Sequence, residues 1–301
     1  MTAADFDLDA ALPAGDSYPP RCGGSRLRGL ARSAALSALA ARQKFRPKPP
    51  ASRTQILLLH HVLPQEITPF RKPLAALAET RDFISYSEAV RRIQTGDHGD
   101  RPGLAFSFDD GRISCRVAAG ILEEHSATGM FFICPPIIGE TNDHIRERFC
   151  RHQLLVDPVD FLSWNDIAAM KSAGHEFGAH TLTHPDCGTL SPAELEREIV
   201  GSRDLLADRL GSAGHFAWPL GRWRNWSDEA HRIARAAGFV SVASGERGMH
   251  IGHGLGPELP LRRESVLASW PISHIRYFLS AAPQVSGDAA ASVSPLVRKA
   301  A

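Results

Sequence analysis

Two pairs of potential metal-binding side chains stand out in this sequence, one of carboxylates and one of imidazoles. Asp109 and Asp110 are adjacent and follow an apolar run, whereas His180 and His184 are four residues apart after a second such run. Adjacent carboxylates repel each other unless a cation or a proton separates their roles. Two histidines and one carboxylate form a ligand set typical of catalytic metal sites, which leave positions for water and substrate. The four residues therefore predict a metal site in which one aspartate is a ligand and the other is free to act as a base.

A third segment, HFAWPLGRW over residues 215–223, combines aromatic residues with proline and glycine. Proline and glycine favour a turn, and an aromatic turn at the end of a strand is typical of a wall for a flat or cyclic substrate. A hydrophobic turn that is buried in the core fits the same pattern. The residues that we expect in such a wall are Trp218, Pro219, Leu220 and Gly221.

The elements that must position these clusters alternate between strands and helices. Apolar runs at 54–62 and 103–108 are typical of strands that are buried on both faces. Capping-box patterns at Ser85–Glu88 and Ser191–Glu194 predict helices between the strands. The alternation continues through residues 51–284 and predicts an α/β fold with a parallel sheet, open or closed into a barrel. In such folds active groups lie at the carboxyl ends of the strands, where the polar clusters fall.

The composition excludes several classes of protein. The 301 residues carry 34 basic and 33 acidic side chains, and the net charge of +1 excludes a globally basic nucleic-acid-binding protein. The sequence has no run of 18 apolar residues, so it predicts no transmembrane helix. Five scattered cysteines without a CxxC pair argue against a disulfide framework and for isolated thiols.

The distribution of proline, glycine and apolar residues divides the chain into three segments. Residues 1–50 are expected to form a flexible N-terminal arm with a basic helix, and a peripheral membrane contact through residues 25–45 stays open. Residues 51–284 are expected to form the folded domain, followed by a C-terminal tail over residues 285–301. The arm lacks the pattern of a secretory signal, which favours a cytoplasmic protein, although an extracytoplasmic location stays open.

In their order along the chain, these clusters resemble the polysaccharide (carbohydrate) deacetylase family, the NodB-homology domain. The segments LLLHHVLP, FSFDDG, HEFGAHTLTH and FAWPLG carry the resemblance, which extends over residues 54–280. The last segment is similar to the subset of the family whose motif reads FAYPYG. The resemblance implies a distorted (β/α) barrel with seven strands.

The family's motifs assign roles to the matching residues. The resemblance implies that Asp109 is the general base, which takes a proton from water that a divalent ion, usually zinc, has activated. The implied ligands of that ion are Asp110, His180 and His184. The amine product leaves only when it is protonated, and His274 and His60 are the candidates for this general acid.

One position departs from the most common family pattern. Ala217 stands where many members carry an arginine that orients the catalytic base. In the subset with the FAYPYG motif, a later arginine before a strand takes this role. The segment LPLRR over residues 259–263 offers Arg262, with Arg263 as the second choice.

The implied function is that of a metal-dependent hydrolase that removes N-acetyl groups from N-acetylglucosamine-type glycans. Chitooligosaccharide, exopolysaccharide and cell-wall intermediates are all open as substrates, and we expect a glycan and no nucleic acid as partner. A hydrolase of a small non-peptide amide or cyclic ureide on the same fold is one alternative, and a non-catalytic glycan-binding module is another. A non-haem iron oxygenase shares the ligand set, but such sites usually lie in all-β barrels. The oligomeric state does not follow from the sequence.

Overall fold

The structure is a computed structural model, and it describes residues 6–13, 26–42 and 48–287. Its strands are β1 (Thr54–Leu59), β2 (Asp82–Phe83), β3 (Gly103–Phe108), β4 (Gly129–Ile133), β5 (Glu176–Ala179), β6 (His215–Ala217), β7 (Ser241–Ala243), β8 (Met249–His250), β9 (Glu264–Ser265) and β10 (Gln284–Val285). Its α-helices are α1 (Leu8–Ala11), α2 (Arg26–Arg42), α3 (Ile67–Ala78), α4 (Tyr86–Thr95), α5 (Cys115–Glu123), α6 (Asp143–Arg148), α7 (Trp164–Ser172), α8 (Pro192–Leu210), α9 (Asp228–Ala236) and α10 (Ile272–Ala281).

The central sheet runs in the order β10-β8-β1-β3-β4-β5-β6-β7, and its neighbours from β1 to β7 are parallel. β9 is also parallel to β1, and Leu261, just before β9, forms a parallel bridge to Ala243 of β7. The segment 261–265 therefore links the last parallel strand back to the first and closes the sheet. The distorted barrel with seven parallel strand positions that the resemblance implies is confirmed.

The barrel strands and the helices between them form for local reasons that the sequence predicts. All six residues of β1 and all six of β3 are buried, as expected of strands covered on both faces. α4 begins where the Ser85 hydroxyl accepts the N–H of Glu88, and it ends at Gly96, which has a φ of 78°. The sequence patterns do not predict α3, which contains Pro73, a residue that usually interrupts a helix.

The described parts of the N-terminal arm lie against the domain. α2 packs on α10, where Leu36 is buried in the main core and the Ser37 hydroxyl lies 3.0 Å from His274 Nε2. Asp9 of α1 forms an ion pair with Arg148. Of the predicted basic helix, the ends beyond Arg26–Arg42 lie outside the described residues, as do residues 288–301 of the predicted tail. The predicted division into arm, domain and tail stays a prediction.

Two further sequence-based expectations concern thiols and membrane spans. The four cysteines that the structure describes, Cys115, Cys134, Cys150 and Cys187, are buried free thiols, whereas Cys22 lies outside the described residues. Among the described helices, none has the length and the apolar content that crossing a bilayer requires.

Candidate metal centre

Three potential metal ligands converge at the carboxyl ends of β3 and β5. Asp110 Oδ1 lies 3.8 Å from His180 Nε2 and 3.5 Å from His184 Nε2. All three residues are buried, and one ligand atom from each lies within 4.8 Å of the others. Nitrogen and carboxylate ligands of zinc lie about 2.0–2.2 Å from the ion, so atoms at these separations suit a single ion between them.

His180 is held in the form that binds a metal. Its Nδ1 lies 2.7 Å from the carbonyl oxygen of Ala217, and a carbonyl can only accept, so Nδ1 carries the proton and Nε2 keeps its lone pair. Burial lowers the pKa of His180 to about 4, although Asp109 opposes this shift. The imidazole is therefore neutral at neutral pH, as a metal ligand must be.

Glu198 of α8 supports the loop between the two histidines. Its carboxylate accepts the N–H groups of Leu182 and Thr183, each at 2.9 Å, and the Thr183 hydroxyl at 2.9 Å. Thr181 and His184 have φ values of 67° and 61°, in the left-handed region that residues other than glycine rarely adopt. The three hydrogen bonds to Glu198 help to hold this strained loop in place.

The turn that carries the two aspartates depends on a glycine. Asp110 has a φ of 79° and Gly111 a φ of 73°. A Cβ atom at Gly111 would lie 3.0 Å from the side chains of Ile133 and Ile138, so a larger residue would be both strained and crowded there. The turn brings Asp109 and Asp110 into the same cavity directly after β3.

Asp109 forms a buried two-point ion pair with Arg263. Arg263 Nη1 lies 2.8 Å from Asp109 Oδ1, and Nη2 lies 2.9 Å from Oδ2. Burial by itself raises the pKa of Asp109, but the charge of Arg263, aided by the nearby histidines, outweighs it, so the pKa lies below its ordinary value. Asp109 is consequently ionised at neutral pH and can accept a proton.

The prediction that Arg262 orients the base is wrong, and Arg263, the second choice, takes that position. Arg262 Nη1 donates to the carbonyl oxygen of Arg247 at 3.3 Å, and its guanidinium lies over the ring of Trp223. Successive residues of an extended segment point to opposite faces, so only one of two adjacent arginines can point into the barrel.

The two candidate general acids lie in different places. His60 lines the cavity together with Asp109 and Asp110. His274 is buried on α10, where its Nε2 contacts the Ser37 hydroxyl and its ring packs edge-on against Trp270. The prediction of His274 as a general acid is therefore wrong, because it faces α2 and the core, and His60 is the remaining candidate.

Of the four residues predicted to form a substrate-binding wall, two are buried in the core and two line the cavity. Trp218 is fully buried and stacks on Trp226 with the ring centroids 4.8 Å apart, and Pro219 is buried as well. The prediction that these two residues contact substrate is wrong, because apolar packing draws them into the core. Leu220, which is 51% exposed, and Gly221 line the cavity.

The cavity around these groups has a volume of about 230 Å³. The lining residues that the sequence patterns did not single out are Leu58, Arg112, Leu154, Arg222, Gly245 and Ser265. Arg112 is the nearest of them to the ligands, with Nη2 2.7 Å from Asp110 Oδ2. Its place directly after the Asp-Asp-Gly turn is a signal that could have identified it, as is the place of Arg222 directly after Gly221.

Comparison with known proteins supports the resemblance to the polysaccharide deacetylase family. The polysaccharide deacetylase family model matches residues 96–242. The chitooligosaccharide deacetylase of Sinorhizobium fredii (strain NBRC 101917 / NGR234) is 24% identical over 163 residues, which are 53% of this chain and 62% of that protein. The chitooligosaccharide deacetylase of Rhizobium leguminosarum bv. phaseoli is 25% identical over 131 residues, which are 42% of this chain and 48% of that protein. The chain thus spans between 48% and 62% of these relatives, and the resemblance to the family is confirmed for the matched segment.

Solved structures share the fold over most of the described chain. The Streptococcus pyogenes deacetylase PplD in complex with acetate superposes with a TM-score of 0.61 at 20% identity, covering 76% of this chain and 99% of that one. IcaB from Ammonifex degensii superposes with a TM-score of 0.59 at 20% identity, covering 77% and 98% of the two chains.

Proposed function

We propose that this chain, in which residues 96–242 match the polysaccharide deacetylase family, is a metal-dependent hydrolase that removes N-acetyl groups from N-acetylglucosamine-type glycans. One observation carries the proposal: the buried cluster of Asp110, His180 and His184 lines the same cavity as Asp109, which is paired with Arg263. The similarity to proteins named chitooligosaccharide deacetylases supports the class of substrate.

The residues of the cluster fit a divalent ion. Two imidazole nitrogens and one carboxylate oxygen suit zinc and other divalent first-row ions, and all three residues are buried. When bound, such an ion supplies Lewis acidity, which polarises an amide carbonyl and lowers the pKa of water. Asp110, His180 and His184 would hold it.

Asp109 is the proposed general base, and Arg263 sets its orientation. A carboxylate has about four acceptor positions, and Arg263 occupies one on each oxygen, which leaves others for a water molecule in the cavity. The guanidinium itself lies over the ring of Phe132 and donates to the carbonyl oxygen of Ser244, so it cannot swing away. This arrangement presents an ionised carboxylate in one fixed direction.

His60 is the proposed general acid. It follows β1 directly, at the carboxyl end of a barrel strand, and it lines the cavity, whereas His274 does not. An imidazole can hold and donate a proton near neutral pH, which the departing amine requires.

The size of the cavity indicates how a glycan would be bound. Pockets that enclose a drug-sized ligand have volumes of about 300–1,000 Å³, so a cavity of about 230 Å³ suits one acetylated sugar unit. The remainder of a longer glycan would lie outside it. The half-exposed side chain of Leu220 offers an apolar surface for a sugar ring at the edge of the cavity.

Release of acetate from chitooligosaccharides tests the proposal. The protein is stripped with a chelator and assayed before and after addition of zinc, together with two variants. We expect Asp109→Asn to keep its metal and to lose acetate release, and His184→Ala to lose both. His144→Ala, which changes an exposed histidine on α6, is the matched control and should behave like the wild type.

The alternatives give different results in the same experiment. Hydrolysis of a small cyclic ureide without release of acetate from any acetylated sugar would favour a hydrolase of small non-peptide amides. Glycan binding without hydrolysis by the metal-loaded wild type would favour a binding module. Stoichiometric zinc in folded His184→Ala would refute the ligand assignment.

A further inference from the structure

The two oxygens of the Asp110 carboxylate have different partners. Oδ1 faces the two histidines, at 3.5 Å from His184 Nε2 and 3.8 Å from His180 Nε2. Oδ2 accepts two N–H groups from Arg112, with Nη2 at 2.7 Å and Nε at 3.1 Å. The guanidinium therefore engages only the oxygen that the histidines leave.

The backbone around Arg112 is fixed on both sides. Arg112 forms an antiparallel bridge with Phe161, the N–H of Ile113 donates to the carbonyl oxygen of Asp160, and the N–H of Leu162 donates to that of Gly111. These contacts join the segment after β3 to a segment some fifty residues later in the chain (160–162).

The side chain of Arg112 is held as well. It is 12% exposed, and its Nη1 lies 3.4 Å from His61 Nδ1. His61 Nε2 in turn lies 3.6 Å from a carboxylate oxygen of Glu66. The guanidinium of Arg112 therefore lies between the carboxylate of Asp110 and the imidazole of His61. The side chain is thus positioned before any ligand binds.

We propose that Arg112 is a positioning residue that reserves Oδ2 of Asp110, so that this aspartate binds the ion through Oδ1 alone. The proposal rests on the metal site proposed above and adds a specific role for an arginine that directly follows the Asp-Asp-Gly turn. A carboxylate that binds through both oxygens occupies two coordination positions of the ion. A catalytic site needs the second of these positions for water or substrate. Hydrogen bonds to the second oxygen of a ligating carboxylate prevent this and also orient the first oxygen.

Replacing the guanidinium should release the second oxygen. Arg112→Met keeps an unbranched side chain and removes every donor, whereas Arg112→Lys keeps a charged donor. The matched control is Arg222→Met, because Arg222 also lines the cavity but is 60% exposed and lies 3.7 Å from Glu246. Crystal structures of the zinc-loaded proteins show which oxygens are bound, and metal analysis gives the stoichiometry.

We expect zinc on Oδ1 alone in the wild type, in Arg112→Lys and in Arg222→Met, and on both oxygens in Arg112→Met. We also expect kcat/KM to fall about 10–100-fold in Arg112→Met at full zinc occupancy, the usual effect of removing a residue that supports a metal ligand, with partial recovery in Arg112→Lys. The crystal structures show which oxygens bind zinc whether or not a variant is active.

Several results would overturn the proposal. Both Asp110 oxygens on zinc in the wild type would refute it whether or not any variant folds. A single bound oxygen in Arg112→Met would show that other contacts set the coordination, and loss of zinc from the folded variant would mean that Arg112 holds the site together instead. Absence of zinc from the wild-type site would refute the proposed metal site itself, which is a distinguishable failure.

Discussion

Replacement of Arg263 by methionine tests the buried ion pair beneath the cavity. Arg263 is fully buried, and its guanidinium donates to both oxygens of Asp109 and to the carbonyl oxygen of Ser244 at 2.7–2.9 Å. Methionine keeps much of the apolar volume but removes the charge and the donors. Loss of one partner of a buried pair costs about 3–5 kcal/mol, because the other charge stays buried without compensation. We expect Arg263→Met to lower the free energy of unfolding by this amount at pH 7.

A second substitution separates the charge from the packing. Asp109→Asn removes the charge that Arg263→Met leaves uncompensated, so the double variant should be more stable than the sum of the two single losses predicts. Contacting residues in one network usually couple by about 0.5–3 kcal/mol, and a two-point buried pair belongs at the upper end of that range. The sign of the coupling follows from the structure: each single variant strands one buried charge, and the double variant strands none.

Urea unfolding of the metal-free proteins, followed by tryptophan fluorescence, measures all four free energies. Arg262→Met is the matched control, because the neighbouring arginine lies over Trp223 and should cost less than about 1 kcal/mol. A loss below about 1 kcal/mol in Arg263→Met, or strictly additive losses in the double variant, would refute the reasoning.

Four further predictions follow from the same structure. His60→Asn should lower kcat about 10²–10⁴-fold at unchanged zinc content, and an unchanged kcat would exclude His60 as the general acid. His274→Asn should lower the melting temperature and leave kcat unchanged, since its Nε2 contacts Ser37; a selective loss of kcat would reinstate it as an acid. Trp218→Ala should cost about 3–5 kcal/mol of unfolding free energy with KM unchanged in the folded protein, and a raised KM without destabilisation would return it to the substrate wall. Burial lowers the pKa of His250 from 6.5 to about 3, so on acidification the unfolded chain takes up a proton at a higher pH than the folded protein does. The free energy of unfolding should therefore be unaffected above pH 6.5 and fall by about 4–5 kcal/mol as the pH is lowered to 3. Equal acid sensitivity of wild type and His250→Gln in urea unfolding would contradict this.

The sequence predicted which four candidate residues converge at the site, because residue types and their spacing are local properties. Asp109 and Asp110 directly follow β3, and His180 directly follows β5. Apolar runs and capping residues that act over three or four positions place those strands and the helices between them. Parallel strands then bring their carboxyl ends to the same edge, so these three residues reach one cavity together with His184.

The sequence could not distinguish residues whose role depends on direction and on distant partners. Arg262 and Arg263 are adjacent and chemically identical, and only the path of the segment 261–265 between β7 and β1 decides which one points at Asp109. His274 has the chemistry of an acid, but α10 turns it towards α2, and the aromatic ring of Trp218 packs on Trp226 in the core.

Residue chemistry and short-range patterning thus predicted the parallel strands, the two aspartates and the two histidines that we propose as metal ligands. The tertiary structure alone decided that Arg263 orients Asp109, that Arg112 engages Asp110 and that His60 shares their cavity. The physical reason is one of range. A helix cap or a buried strand is specified within a few residues, whereas a side chain's partner across the barrel depends on how strands far apart in the chain are aligned and on which face each residue presents.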